Sequence, residues 1–150
     1  MKIIIDTREQ KPLVFNHRFI TDVEVKGLSV GDYGAMSSEY VHPVVFERKS
    51  INDLYGTLSQ GYERFKCEIE RAKEQNTKII IIVEGHLKRI LMGTAFSKRT
   101  PESIVYQLFT LRVRYDVETV FCANREEMAE YITQFYIAHH KEYLDKTILK

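Results

Sequence analysis

Glu47 and Lys49 stand two residues apart in Val44-Val-Phe-Glu-Arg-Lys-Ser-Ile-Asn-Asp53. The apolar start of this stretch reads as a buried strand. Strand side chains alternate between faces, so this carboxylate and this ammonium share one face, about 6.6 Å apart along the chain. At a strand end such a pair can act on one phosphate. The carboxylate would hold a divalent metal, and the lysine would orient an attacking water or neutralise charge on the phosphate. Arg48 points to the opposite face and needs another explanation. Asp6, Asp32, Asp53 and Glu84 also fall at expected strand ends or just after them. Hard oxygen ligands of this kind suit Mg²⁺, which binds through one or two carboxylates and keeps several waters.

The elements that must position these groups can be read from periodicity. Lys2-Ile-Ile-Ile-Asp6 is a first strand, covered on both faces, and Asp6-Thr7-Arg8-Glu9 follows at its end. Val23–Val25 is a short strand near an edge. Gly31-Asp32-Tyr33-Gly34 opens the next strand, which runs to about Met36. A turn at Ser37-Ser38-Glu39 then leads into a strand from Val41 to Arg48, which lets Asp32 and Glu47 converge from neighbouring strands. Ser50-Ile-Asn-Asp53 is a capping box with Asp in the usual place of Glu, so Asp53 also has a purely structural reading. A longer helix is expected over Tyr62–Glu74, with Tyr62, Phe65, Ile69 and Ala72 inward and Arg64, Glu68 and Arg71 as a solvated ladder of ion pairs. Lys78–Glu84 is a central parallel strand, followed by a short helix at Leu87–Leu91. Thr100-Pro101 starts a helix that runs to about Arg114, a last strand covers Val117–Cys122, and Asn124 caps a final helix to about His140. The order predicts an α/β fold with a mixed central sheet flanked by helices.

The chain is 150 residues long, enough for one domain with a full core, and its 22 Lys+Arg against 21 Asp+Glu neither require nor exclude nucleic acid. Cys67 and Cys122 read as reduced thiols of an intracellular protein, cytoplasmic or nuclear according to source. The longest pure apolar run, Ile79–Val83, is too short to span a bilayer. His17, His42 and His86 match no zinc spacing, and His139-His140 reads as a helix end facing the dipole. No Ser-His-Asp logic and no phosphate-cradling glycine loop is present. Tyr33, Tyr55 and Tyr62 could stack on bases, with core packing the plainer reading.

These residues together resemble the XPF-type family of structure-specific DNA endonucleases, which includes the archaeal Hef nuclease domain and belongs to the restriction-endonuclease-like superfamily. The family signature is Gly-Asp, a variable gap, Glu-Arg-Lys, three residues and Asp. It stands here as Gly31-Asp32, Glu47-Arg48-Lys49, Ser50-Ile51-Asn52 and Asp53. Asp6-Thr7-Arg8-Glu9, Val83-Glu84-Gly85 and Thr100-Pro101-Glu102-Ser103 also look like the family, so the resemblance covers about residues 2–137.

The resemblance implies a restriction-endonuclease-like fold, with residues 1–137 as the nuclease domain and 138–150 as an extension of the last helix and a tail. It implies a Mg²⁺- or Mn²⁺-dependent phosphodiesterase that cuts DNA at branches, flaps or forks. By position, Asp6, Asp32 and Glu47 would hold metal and Lys49 would act on the water or the phosphate. Arg48 and Asp53 would support the site through an ion pair, and Arg8 and Arg64 would contact DNA phosphates. No small-molecule cofactor and no membrane partner is implied; a homodimer or heterodimer is. Two departures stand out. Glu68 takes the place of a family glutamine, where it reads as a surface ion-pair partner in preference to a contributor to the metal site. No tandem helix-hairpin-helix module follows residue 137, so the chain reads as a stand-alone small nuclease or an excised domain. The rival readings are a non-catalytic DNA-binding or scaffold subunit, and a restriction-like nuclease without branch specificity.

Overall fold

The structure is a computed structural model that describes residues 1–38 and 40–148, with side chains as far as residue 143. Glu39 of the expected turn and the end of the expected tail lie outside the described residues.

The strands are β1 (Lys2–Ile5), β2 (Asp22–Val25), β3 (Tyr33–Ser37), β4 (Tyr40–Val41), β5 (Val44–Ser50), β6 (Lys78–Glu84) and β7 (Glu118–Cys122). The helices are α1 (Ile51–Thr57), α2 (Tyr62–Glu74), α3 (Leu87–Leu91), α4 (Pro101–Tyr115) and α5 (Arg125–Ile148). The sheet runs β2-β1-β3-β5-β6-β7, with β4 paired to β3. β1 pairs parallel with β2 and antiparallel with β3, β3 is antiparallel to β5, and β5, β6 and β7 are mutually parallel. This is the mixed sheet that the restriction-endonuclease-like fold calls for.

The period of two in the strands sorts the core into two layers. Val45, Ile79, Ile81 and Val83 face α1, α2, α3 and α4, where they meet Leu54, Leu58, Phe65, Ile69, Ile90, Ile104 and Leu108. Phe46, Ile80, Ile82, Ile3, Ile5 and Tyr33 face α5, through Met128, Ile132 and Tyr136. Parity alone therefore puts Glu47 and Lys49 on the α1/α2 side of the sheet and Arg48 on the α5 side.

Local caps hold where expected. Ser50 accepts the Asp53 N–H at 3.1 Å, Thr100 accepts that of Ser103, and Asn124 accepts that of Glu127 at 2.8 Å. Two expectations need correction. The strand expected over Val41–Arg48 is broken at Pro43, which has no N–H to donate, so a two-residue β4 and a separate β5 result. The last helix does not stop near His140 but continues to Ile148, because neither Gly nor Pro interrupts it. His139 and His140 are thus interior to α5 rather than at its end. Among the described residues, no helix is long and apolar enough to cross a membrane.

Candidate active site

Asp32 and Glu47 are joined by the backbone of two adjacent strands. The Asp32 N–H donates to the Phe46 carbonyl at 2.8 Å, and the Arg48 N–H donates to Asp32 Oδ2 at 2.8 Å. The Asp32 carboxylate is thus clamped beside the peptide that carries Glu47. Gly31 makes this approach possible. Its φ is +79°, and a Cβ there would sit 2.7 Å from Val45 Cγ2, so both the backbone conformation and the space exclude a side chain.

Lys49 Nζ lies 3.2 Å from Glu47 Oε1, and both groups are largely buried. An open cleft of about 430 Å³ adjoins them, lined also by Asn52, Asp53, Arg64 and Glu68. Burial raises the Glu47 carboxyl well above the usual range, and the Asp32 and Glu68 charges add to the rise against the pull of Lys49. Burial also raises Asp32; the Arg48 N–H opposes the shift, while Glu9 and Glu68 reinforce it. Two carboxylates are thus held close at an electrostatic cost, which a cation between them would relieve.

Glu68 does not serve as the surface ion-pair partner expected of it. Its Oε1 accepts the Gly31 N–H at 2.9 Å, which ties α2 to the turn that carries Asp32. Its place opposite the family glutamine was the signal in the sequence. Arg48 does not pair with Asp53 as expected. Facing α5, it binds Glu9, with Nε 2.8 Å from Oε2, and the same Oε2 accepts the Tyr33 hydroxyl at 2.6 Å. In the sequence Glu9 reads only as part of a loop, because nothing local announces a partner on β5. Asp53 remains exposed at the cleft wall, its N–H capped by Ser50.

Asp6 is almost fully buried at the end of β1, and its N–H donates to the Asp32 carbonyl at 2.8 Å. Its oxygens accept the Leu28 N–H at 2.8 Å and Arg8 Nε at 2.7 Å. Burial alone would raise this carboxyl, but the bonds from Leu28 and Arg8 outweigh it and hold the pKa below the usual value. Arg8 keeps most of its side chain in solvent, and Arg64 is exposed on the cleft wall.

Among the described residues, no group of three His, Cys, Asp or Glu side chains is placed to hold a metal by itself. The donor set is instead Glu47, which lines the cleft, with the Asp32 carboxylate near enough to raise its pKa. That suits a Mg²⁺-like ion, which draws its remaining ligands from water and substrate phosphate.

Residues 5–135 match the ERCC4 domain family. Among solved structures, the chain is similar to XPF from Aeropyrum pernix, with a TM-score of 0.69 at 19% identity over 98% of this chain and 69% of that one. It is also similar to XPF from Aeropyrum pernix in complex with DNA, with a TM-score of 0.66 at 20% identity over 94% of this chain and 66% of that one. This chain therefore spans about two thirds of each. No curated protein gives a significant match.

Proposed function

From its membership of the ERCC4 domain family, to which the chain belongs, we propose that it is a Mg²⁺- or Mn²⁺-dependent endonuclease that hydrolyses DNA phosphodiester bonds at branched, flap or fork structures. The observation that carries this reading is the Glu47–Lys49 pair beside the clamped Asp32, at the mouth of a polar cleft.

Asp32 and Glu47 would hold the metal, and Asp6 would join them on releasing Arg8. When bound, a divalent cation supplies Lewis-acid polarisation of the scissile phosphate. Lys49 Nζ, freed from Glu47 by the substrate, would hold the attacking water in line or neutralise the charge that develops on the phosphate. The Arg48–Glu9–Tyr33 network fixes the strand from behind, so that Glu47 and Lys49 keep their side of the sheet. Arg64 and Arg8 would meet phosphates flanking the cut. The non-catalytic scaffold reading has no feature of the site in its favour, since every signature position is filled.

Dimerisation belongs to the same proposal. Tyr106, Phe109 and Val113 lie on one side of α4 and are 75%, 66% and 88% exposed, an apolar stripe that fits a second copy of the chain or a related subunit.

The test is a cleavage assay on end-labelled flap, fork, single-strand and linear duplex DNA with Mg²⁺, Mn²⁺ or EDTA. Metal-dependent cutting near the branch is expected, lost in Lys49→Ala and Asp32→Ala, both of which keep the wild-type circular dichroism. Cutting of every substrate alike would retain the chemistry and move branch choice elsewhere. No cutting with either metal would overturn the proposal.

A further inference from the structure

A second cleft lies at the other end of the sheet from the carboxylates, and its chemistry is different. It has a volume of about 570 Å³, within the range of small-molecule pockets, and opens between the His17–Phe19 loop, the end of β3 and α5. Met1 lines it, whereas Asp6 stands at the opposite end of β1, roughly 16 Å further along the strand. This cleft is on the α5 side of the sheet, whereas the candidate active site is on the α1/α2 side.

The walls are aromatic and cationic. Tyr40 and Tyr143 stack with ring centroids 3.7 Å apart and 12° between planes. Phe19 is 43% exposed; the His17 ring stacks on it at 5.5 Å, and the Arg18 guanidinium and Lys141 ammonium lie over the ring at 5.1 and 5.8 Å, so a base takes its place there only as these cations move off onto phosphate. His140 also lines the cleft, and its Nδ1 is buried without a hydrogen-bond partner. No carboxylate occurs among the described lining residues. Exposed aromatic rings beside cations suit single-stranded nucleic acid, in which bases stack and the backbone is drawn by charge. A duplex offers no free base faces, so the fit is to an unpaired strand.

We infer that this cleft is a second nucleic-acid site, which takes an unpaired base of single-stranded DNA on Phe19 and the Tyr40/Tyr143 pair, with Lys141 and Arg18 on its phosphates. The choice of DNA rests on the proposed nuclease function. The cleft would hold the single strand that a fork or flap exposes, while the cut is made at the far end of β1.

The test is made on the full chain in EDTA, where binding is read without turnover. The chain has no tryptophan, so Phe19→Trp introduces a single reporter. Oligothymidylate is expected to quench its emission, and an abasic strand of equal length is not. On the wild type, anisotropy is expected to show about ten-fold tighter binding of oligothymidylate than of the abasic strand. In Phe19→Ala/Tyr40→Ala that preference is expected to vanish, with the fold checked by circular dichroism. Lys141→Ala is expected to lower the salt slope of binding by about one. Equal affinity of the wild type for the two strands, or undiminished base preference in the double variant, would overturn the inference. Cleavage assayed separately in Mg²⁺ distinguishes the two readings: base-dependent binding without cutting removes the nuclease and keeps the site, and the reverse result removes the site alone.

Discussion

Glu68 Oε1 accepts a hydrogen bond from the Gly31 N–H at 2.9 Å and so locks helix α2 to the turn that aims Asp32. The same carboxylate adds negative charge beside Asp32 and Glu47. Its two roles separate under substitution. Glu68→Gln keeps an acceptor for Gly31 but loses the charge, so Mn²⁺ affinity by calorimetry should fall about ten-fold with little change in melting temperature. Glu68→Ala should in addition destabilise by about 1–3 kcal/mol, because a buried N–H loses its partner. Equal melting temperatures for the two variants would show that the hydrogen bond contributes nothing.

Gly31 is the tightest point of the site. With φ at +79° and Val45 Cγ2 2.7 Å from any added Cβ, Gly31→Ala should cost about 1–3 kcal/mol, or roughly 3–10 °C in melting temperature. Cleavage should fall further than stability does, since the clash acts on the residue before Asp32. A variant that melts and cuts like the wild type would remove the claim that this turn sets the geometry.

Arg48 and Glu9 are 18% and 10% exposed, so each alone would be a poorly solvated charge. Arg48→Met should destabilise by about 3 kcal/mol, because Glu9 is left without its cation. Arg48→Met combined with Glu9→Gln should recover a large part of that loss, and urea denaturation of the four proteins in the cycle measures the coupling. Simple additivity would indicate that the pair is not linked.

His42 is 2% exposed and lies with its Nδ1 2.9 Å from His139 Nδ1, between Tyr40, Tyr136 and His140, with Ser37 at Nε2. Burial pushes its pKa from 6.5 down to about 4, and His139, His140 and the amino-terminal nitrogen reinforce the shift. The unfolded chain takes up a proton below pH 6.5 that the folded chain refuses until about pH 4. The contribution is therefore complete above pH 6.5 and is lost as pH falls towards 4, by up to about 3 kcal/mol. Denaturant titrations at several pH values should show this slope in the wild type and a flatter one in His42→Gln. Parallel curves would exclude His42 as the source.

The α4 stripe gives a simple test of assembly. At micromolar concentration the wild type should sediment faster than a 17.7 kDa species, and Phe109→Glu should restore the monomer. A wild type that sediments as a monomer would rule out a homodimer through this face and leave a different subunit as the partner.

Much of this protein is written in short-range patterns. The capping of α1 by Ser50, the Thr100-Pro101 start of α4 and the apolar run of β6 depend on backbone dihedrals and on neighbours within one or two turns, which the sequence states directly. Strand parity belongs to the same class, and it alone puts Glu47 and Lys49 together and Arg48 opposite. Tertiary structure decided what those side chains meet. Arg48 finds Glu9 across 39 residues, Glu68 finds Gly31 across 37, and His42 finds His139 across 97. No local propensity encodes such pairs. They arise because burying the two apolar faces of the sheet against α1–α4 and α5 brings distant polar groups into places where water cannot serve them, and each must then find a partner within the fold.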